Sequence, residues 1–204
     1  MPRILHTETR ADAIVDAVSH LIITRGVDAL SLRSIATATG LSPSTLLHQL
    51  TNRTRLLRVC ASRFVRRHMA ELRYRVELES AHGFLPRTPQ EVRDMRVWLA
   101  WRELGRSDDG IAHAMADFRE QERLLLGLTI RRWRGSPQLQ LEERELDAAM
   151  AVVEGLREVM CARGEHALTP ARATAALGLF LERLLPDRDR SEAPAAPERR
   201  TFGP

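Results

Sequence analysis

Apolar residues recur along most of this chain at three- and four-residue intervals, and the two-residue alternation of a half-buried strand persists nowhere. Ile14, Val18, Leu21 and Ile22 mark the inner side of a first helix over roughly Glu8 to Arg25, which Gly26 ends. Ser31 then stands where an N-cap should, able to accept a hydrogen bond from the backbone N–H near Ser34, and Ile35 and Ala36 give the next helix its inward face. Gly40 supplies the left-handed conformation that a helix end favours, Leu41 packs the turn, and Ser42 caps a third helix with Pro43 in its first position. That helix is about two turns long. It carries Pro43, Ser44, Leu47 and His48 on one face and turns Leu46 and Leu50 inward. Two short helices set at an angle by a glycine turn make a helix-turn-helix, and the small, protruding face of the second suits the major groove of DNA.

The helical period continues downstream. A long fourth helix opens near Arg53, and His82, Gly83, Pro86 and Pro89 separate it from the next, for which Thr88 is the cap and Pro89 the first-turn proline. That helix runs to about Arg106, with Val92, Met95, Leu99 and Arg102 on one stripe and Trp98 and Trp101 beside it. Ile111, Met115, Phe118 and Leu125 mark the inward side of a helix over about Asp109 to Trp133. Gly135, Ser136 and Pro137 interrupt. Glu142 to Arg163 and Thr169 to Leu185 then read as two final helices, the second capped by Thr169 with Pro170 in its first turn. Pro186 ends regular structure, and the charged, Ala- and Pro-rich residues 187–204 predict a disordered tail. The expected fold is all-α: an N-terminal three-helix helix-turn-helix DNA-binding domain over 1–52, then a helical bundle over 53–186 that the fourth helix joins to it.

The run from Ser31 to Leu57 resembles the DNA-binding domain of the TetR family of one-component bacterial transcriptional regulators. Ile35, Ala36, Gly40, Leu41, Ser42, Thr45, Leu46, Leu50, Arg53 and Leu56 fall in register with its motif, and with the preceding helix the resemblance covers residues 8 to about 70. In that family a Tyr and a His near the end of the recognition helix touch the DNA backbone; this chain has Leu47 and Gln49 there. Gln49 keeps a hydrogen-bond donor. Leu47 has none, although it can meet a thymine methyl, so phosphate anchoring shifts to Arg53 and Arg33. The candidate DNA contacts are therefore Ser31, Arg33, Ser42, Pro43, Ser44, Thr45, Leu47, His48, Gln49 and Arg53, with Thr45 and His48 placed to read bases.

Charge is distributed to match. Through residue 75 there are 12 Arg and 5 acidic residues, a net +7, whereas the remaining 19 Arg and 22 acids give −3. Neutralising phosphates releases counterions, so a basic head on a slightly acidic body is what a DNA-binding protein of this layout should show. Arg63, Arg66, Arg67, Arg73 and Arg75 lie too far along the fourth helix for all to reach DNA, and most of them are expected to form a solvated basic face. All 31 basic residues are Arg, which points to genome composition more than to mechanism.

The second half is similar, more loosely, to regulators with a BetI-like C-terminal domain. VWLAWRELGRSDDGI matches their aromatic-rich fifth helix and turn, and VVEGLREVM with LTPARATAALGLFLERLL matches their last two helices. The resemblance makes 53–186 a ligand-binding and dimerisation domain. The last two helices then form a four-helix homodimer interface through Met150, Val153, Leu156, Met160, Leu177, Phe180, Leu181 and Leu184, with Gly155 and Gly178 allowing close approach; the alternative is that these residues are simply monomer core. Two recognition helices about 34–36 Å apart would read a palindromic operator in double-stranded DNA. A small apolar effector, lined by Cys60, Phe64, His68, Trp98, Trp101, Met115, Phe118 and Met150, could release it by moving the fourth helix, although an all-helical core uses the same residues for packing.

Other chemistries find little support. The seven His form no HxxxH or HExxH pattern, no Gly-rich phosphate loop follows a strand, and no Ser sits in a nucleophile elbow, so neither catalysis, a metal nor a cofactor is expected. No apolar run approaches the roughly 18 residues of a membrane span, the N-terminus carries no signal-like apolar stretch, and the solitary Cys60 and Cys161 suit a reducing compartment, so the expected location is cytoplasmic. The reading is a dimeric transcriptional repressor released by a small ligand. Its alternative is a dimeric helical ligand-binding or protein-interaction module whose DNA affinity has weakened, which Leu47 and Gln49 motivate.

Overall fold

The computed structural model describes residues 2–184 apart from 51, 136–137, 139, 163 and 165–166, and not the side chains of 2–9, 47–50 and 184. Eight α-helices and no strand occur among the described residues: α1 (Pro2–Arg25), α2 (Leu32–Thr39), α3 (Pro43–Leu50), α4 (Arg53–Glu79), α5 (Pro89–Leu104), α6 (Asp109–Trp133), α7 (Glu143–Cys161) and α8 (Pro170–Leu184). The expected disordered tail, and the expected helix ends at Arg163 and Leu185, lie outside the described residues. Helix α1 begins at Pro2, earlier than the expected Glu8. Ile4 and Leu5 alone are too few for a periodicity to register there, whereas proline suits a first helical turn.

Helices α1 to α3 share a small core that continues into α4. Val18, Leu21, Leu30, Ile35, Leu46 and Leu56 are all buried, and each such side chain removed from water contributes about 1.5–3 kcal/mol. Beyond the head, α4 packs along α6, α5 lies against α1, α6 and α7, and α7 packs on α8, so buried side chains form one connected cluster through the molecule. Asp108 caps α6 by accepting from the Ile111 N–H at 3.0 Å, and it also accepts from Arg58 Nε of α4 at 2.8 Å. That bond fixes the first third of α4 to the α5–α6 turn.

A 3₁₀ strap, Ser80–Phe84, closes the far end of α4. Gly83 lies so close to α4 that a Cβ would stand 2.6 Å from the Arg75 carbonyl group and the Val76 nitrogen. Arg157 of α7 holds the strap from inside: its Nε donates to the Phe84 carbonyl at 2.7 Å, and its Nη1 lies 2.6 Å from Glu122 Oε1 of α6 with both side chains at 1% exposure. The arginines of α4 depart from the expected solvated face at one point. Arg63 and Arg67 pair with Asp12 and Asp16 on α1 at 3.3 and 2.7 Å, but Arg75 is buried, with Nη1 3.1 Å from Glu91 Oε2. The strap and the start of α5 fold over it, a tertiary cover that no helical period reveals.

Candidate nucleic-acid interface

The helix-turn-helix is built by its caps. Ser31 Oγ accepts from the Ser34 N–H at 3.0 Å while Ser34 Oγ accepts from the Ser31 N–H at 3.0 Å, so two free N–H groups at the start of α2 are satisfied reciprocally. Gly40 ends the helix at φ 68 and ψ 13, the left-handed region where a Cβ is costly. The Leu41 N–H closes back on the Ala36 carbonyl at 3.1 Å, and Leu46 of α3 seats in the head's core. At the start of α3, Ser42 Oγ accepts from the Thr45 N–H at 3.1 Å and lies 2.8 Å from Ser44 Oγ and 2.7 Å from Thr45 Oγ1. The result is an outward cluster of three hydroxyls at a helix N-terminus, where backbone N–H groups and the helix dipole favour a phosphate.

Ser31, Arg33, Ser42, Pro43 and Ser44 are exposed, and Thr45 is half-buried. The side chains of Leu47, His48 and Gln49 lie outside the described residues. Arg53 is exposed, yet its Nε donates to the Leu30 carbonyl, so it also ties the first turn of α4 to the segment that leads into α2. That bond uses one of the five guanidinium N–H donors.

Two basic neighbours went unnoticed in the sequence. A cleft of about 630 Å³ between the end of α1 and the outer side of α2 brings His20 and Arg25 together with Ser31 and Arg33. Arg25 and Arg33 are both exposed, at the end of one helix and the start of the next. The signal was present as an Arg directly before the stop at Gly26, but only the crossing of α1 and α2 makes it a partner of Arg33.

Solved structures share this all-helical fold. A protein from Rhodococcus sp. assigned to the TetR family of transcriptional regulators is 21% identical, with a TM-score of 0.66 over 84% of this chain and 96% of that one. The TetR-family transcriptional regulator PfmR from Thermus thermophilus is 17% identical, with a TM-score of 0.55 over 84% of this chain and 93% of that one. The fold is that of TetR-family regulators. A protein from Saccharomonospora viridis assigned as a transcriptional regulator, solved in complex with choline, is 17% identical, with a TM-score of 0.71 over 87% of this chain and 97% of that one. No family model matches the chain, and no curated protein does.

Within the TetR-type bundle, the eight residues expected around a ligand are all in the interior. Cys60, Phe64, His68, Trp98, Trp101, Met115, Phe118 and Met150 are all buried, and four of the rings form a chain: Phe64 stacks on His68 at 5.5 Å, His68 meets Phe118 at 5.5 Å, and Phe118 meets Trp98 at 6.0 Å. Burial, with Arg157, Arg75 and Arg67 nearby, pushes the His68 pKa down to about 3, so the imidazole is neutral. Burial likewise pushes the Cys60 thiol up to about 12.

The residues expected at a dimer interface divide. Met150, Val153, Met160, Leu177 and Leu181 are buried inside the single chain, where they form its own core, and Leu184 lies outside the described side chains. Leu156 and Phe180 are half-buried. The exposed side of α7 instead carries Ala151, Gly155 and Val159 beside Glu158, and that of α8 carries Ala175, Ala176 and Leu179 between Arg172 and Glu182. A Cβ at Gly155 or Gly178 would meet nothing within 4 Å, so nothing in the protomer itself requires either glycine.

Proposed function

We infer that this chain is a sequence-specific DNA-binding transcriptional regulator of the TetR type and works as a homodimer in the cytoplasm, without enzymatic activity. Residues 1–52 are its DNA-binding domain, and 53–186 bind a ligand and pair the subunits. The reading includes repression: α3 of each subunit occupies one half of a palindromic operator, and a small ligand in the bundle releases both. The observation that carries it is the doubly capped α2–Gly40–α3 unit with its hydroxyl cluster and adjacent Arg25 and Arg33, set in a fold shared with transcriptional regulators. Val159 of α7 and Leu179 of α8, left 44% and 50% exposed beside the charged Glu158 and Glu182, support the dimer, because large apolar side chains on a solvent face suit a contact surface. The likeness to BetI-type C-terminal domains, and a neighbour solved with choline, support a small-molecule effector.

Selection of bound fragments from random duplexes by the full-length protein tests the reading. An inverted repeat is expected, held with a steep inverse dependence on salt. Arg33→Ala in both subunits should flatten the log–log salt dependence by about two, roughly 0.9 for each phosphate no longer neutralised, and leave the preferred sequence unchanged. Recovery of no repeat at low salt, from protein that is folded and dimeric, leaves the helical ligand-binding or interaction module as the better account.

A further inference from the structure

The interior between α4, α5, α6 and α7 holds polar atoms that no other described residue satisfies. Among the described residues, His68 Nε2, Trp98 Nε1, Trp101 Nε1 and Arg157 Nη2 are buried with no hydrogen-bond partner. Glu122, fully buried, touches Arg157 Nη1 but accepts no well-directed hydrogen bond. These groups are neighbours. Phe118 contacts both His68 and Trp98, Glu122 lies one helical turn beyond Phe118, and Trp101 lies three residues after Trp98. Buried polar groups are nearly always paired, so bare ones concentrated in a single interior mark a place for water or for a ligand.

The chemistry of that ligand follows from the inventory. An indole N–H can only donate, and so can a guanidinium; with Arg157 Nε already given to Phe84, the surplus is of donors. The one fully buried carboxylate among the described residues, Glu122, is paired in charge with Arg157. The charges felt at His68 all come from arginines. Glu122 and Arg157 balance each other's charge, so neither a cation nor an anion meets an unpaired opposite charge, but donors are in excess and a carboxylate would find two N–H groups and a guanidinium nitrogen beside aromatic walls. We propose that this interior binds a small organic acid through its carboxylate, with Trp98, Trp101 and Arg157 as donors and Phe64 and Phe118 against its apolar part. The inference rests on the ligand-binding role given to the bundle above and replaces an apolar effector by an amphipathic, anionic one.

Calorimetric titration of the full-length protein with benzoate and hexanoate, beside their methyl esters and choline, tests it. The carboxylates should bind at least about tenfold more tightly than their esters, the worth of one charge-assisted hydrogen bond or more, and choline should not compete. Trp98→Phe and Trp101→Phe keep the ring and remove one donor each, and each should weaken the carboxylates about tenfold while leaving the ester unchanged. Arg157→Met alone strands Glu122 and can unfold the chain, so it is paired with Glu122→Met, which removes both charges; that double variant should stay folded, hold its operator and lose the carboxylate preference. Equal binding of acid and ester, tighter binding of choline, no binding of either acid at millimolar concentration, or indifference to both Trp substitutions would overturn the proposal. Loss of operator binding with carboxylate binding intact overturns only the regulator reading, and the reverse result overturns only this one.

Discussion

His68 shows how far one residue's chemistry can depart from its sequence neighbourhood. It sits on α4 between runs of arginine, yet it is buried, stacked on Phe64, and held neutral down to about pH 3, first by burial and then by Arg157, Arg75 and Arg67. The unfolded chain takes up the proton near the ordinary value of 6.5 and the native state does not, so stability must fall as pH drops through 6.5 and must continue falling toward 3. Between pH 7 and pH 5 this one side chain should remove about 2 kcal/mol from the free energy of unfolding, at 1.36 kcal/mol per pH unit below 6.5. His68→Phe should reduce the pH dependence by that amount, as read from urea midpoints at the two pH values. From the sequence His68 was legible only as one of eight residues that could line a ligand site or serve as core. Its burial depends on Phe118 and Arg157, fifty and eighty-nine positions away, which no local pattern reports.

At the scale of elements the sequence was legible almost throughout, because the helices are bounded by groups whose chemistry is local. Ser31, Thr88 and Asp108 cap α2, α5 and α6 with their own side chains, and Gly40 ends α2 in the left-handed conformation. What escaped notice was how elements lie on one another. Gly83 registered only as part of a break, yet it is where the strap touches α4, and backbone there cannot move aside as the end of a side chain can. Gly83→Ala should therefore cost about 1–3 kcal/mol of stability, as overpacking of a tight contact does. Gly155 is the control on α7. Its Cβ position is open within the protomer, so Gly155→Ala should raise the stability of the isolated chain by up to about 1 kcal/mol through helix propensity. If α7 pairs with its copy, the same substitution should weaken self-association. Thermal unfolding and sedimentation at several concentrations separate the two effects.

For the whole molecule, the proposed dimer turns on which surface of α7 and α8 would meet a second copy. Burial divides the expected interface into residues the protomer has already used and residues it has left outward, a division that helical period alone cannot make because both sets are apolar. Leu177 is fully buried, so Leu177→Glu places a charge in the protomer core and should unfold the chain. Leu179, only two positions on, is 50% exposed, and Val159 of α7 is 44% exposed. A charge at either position costs the folded protomer little, since surface substitutions usually fall within about 0.5 kcal/mol. In a two-fold contact, however, each glutamate would lose its water against apolar surface and approach its own symmetry copy. Val159→Glu with Leu179→Glu should therefore yield a folded monomer with an unchanged urea midpoint at low concentration. Operator binding should fall at the same time, because one head engages half the phosphates and half the bases, and separate half-sites should be bound as well as the full repeat. A variant that stays dimeric would move the interface off this face while leaving the DNA-binding head untouched. A monomer that still discriminates the full repeat from its half would mean that DNA itself assembles the pair.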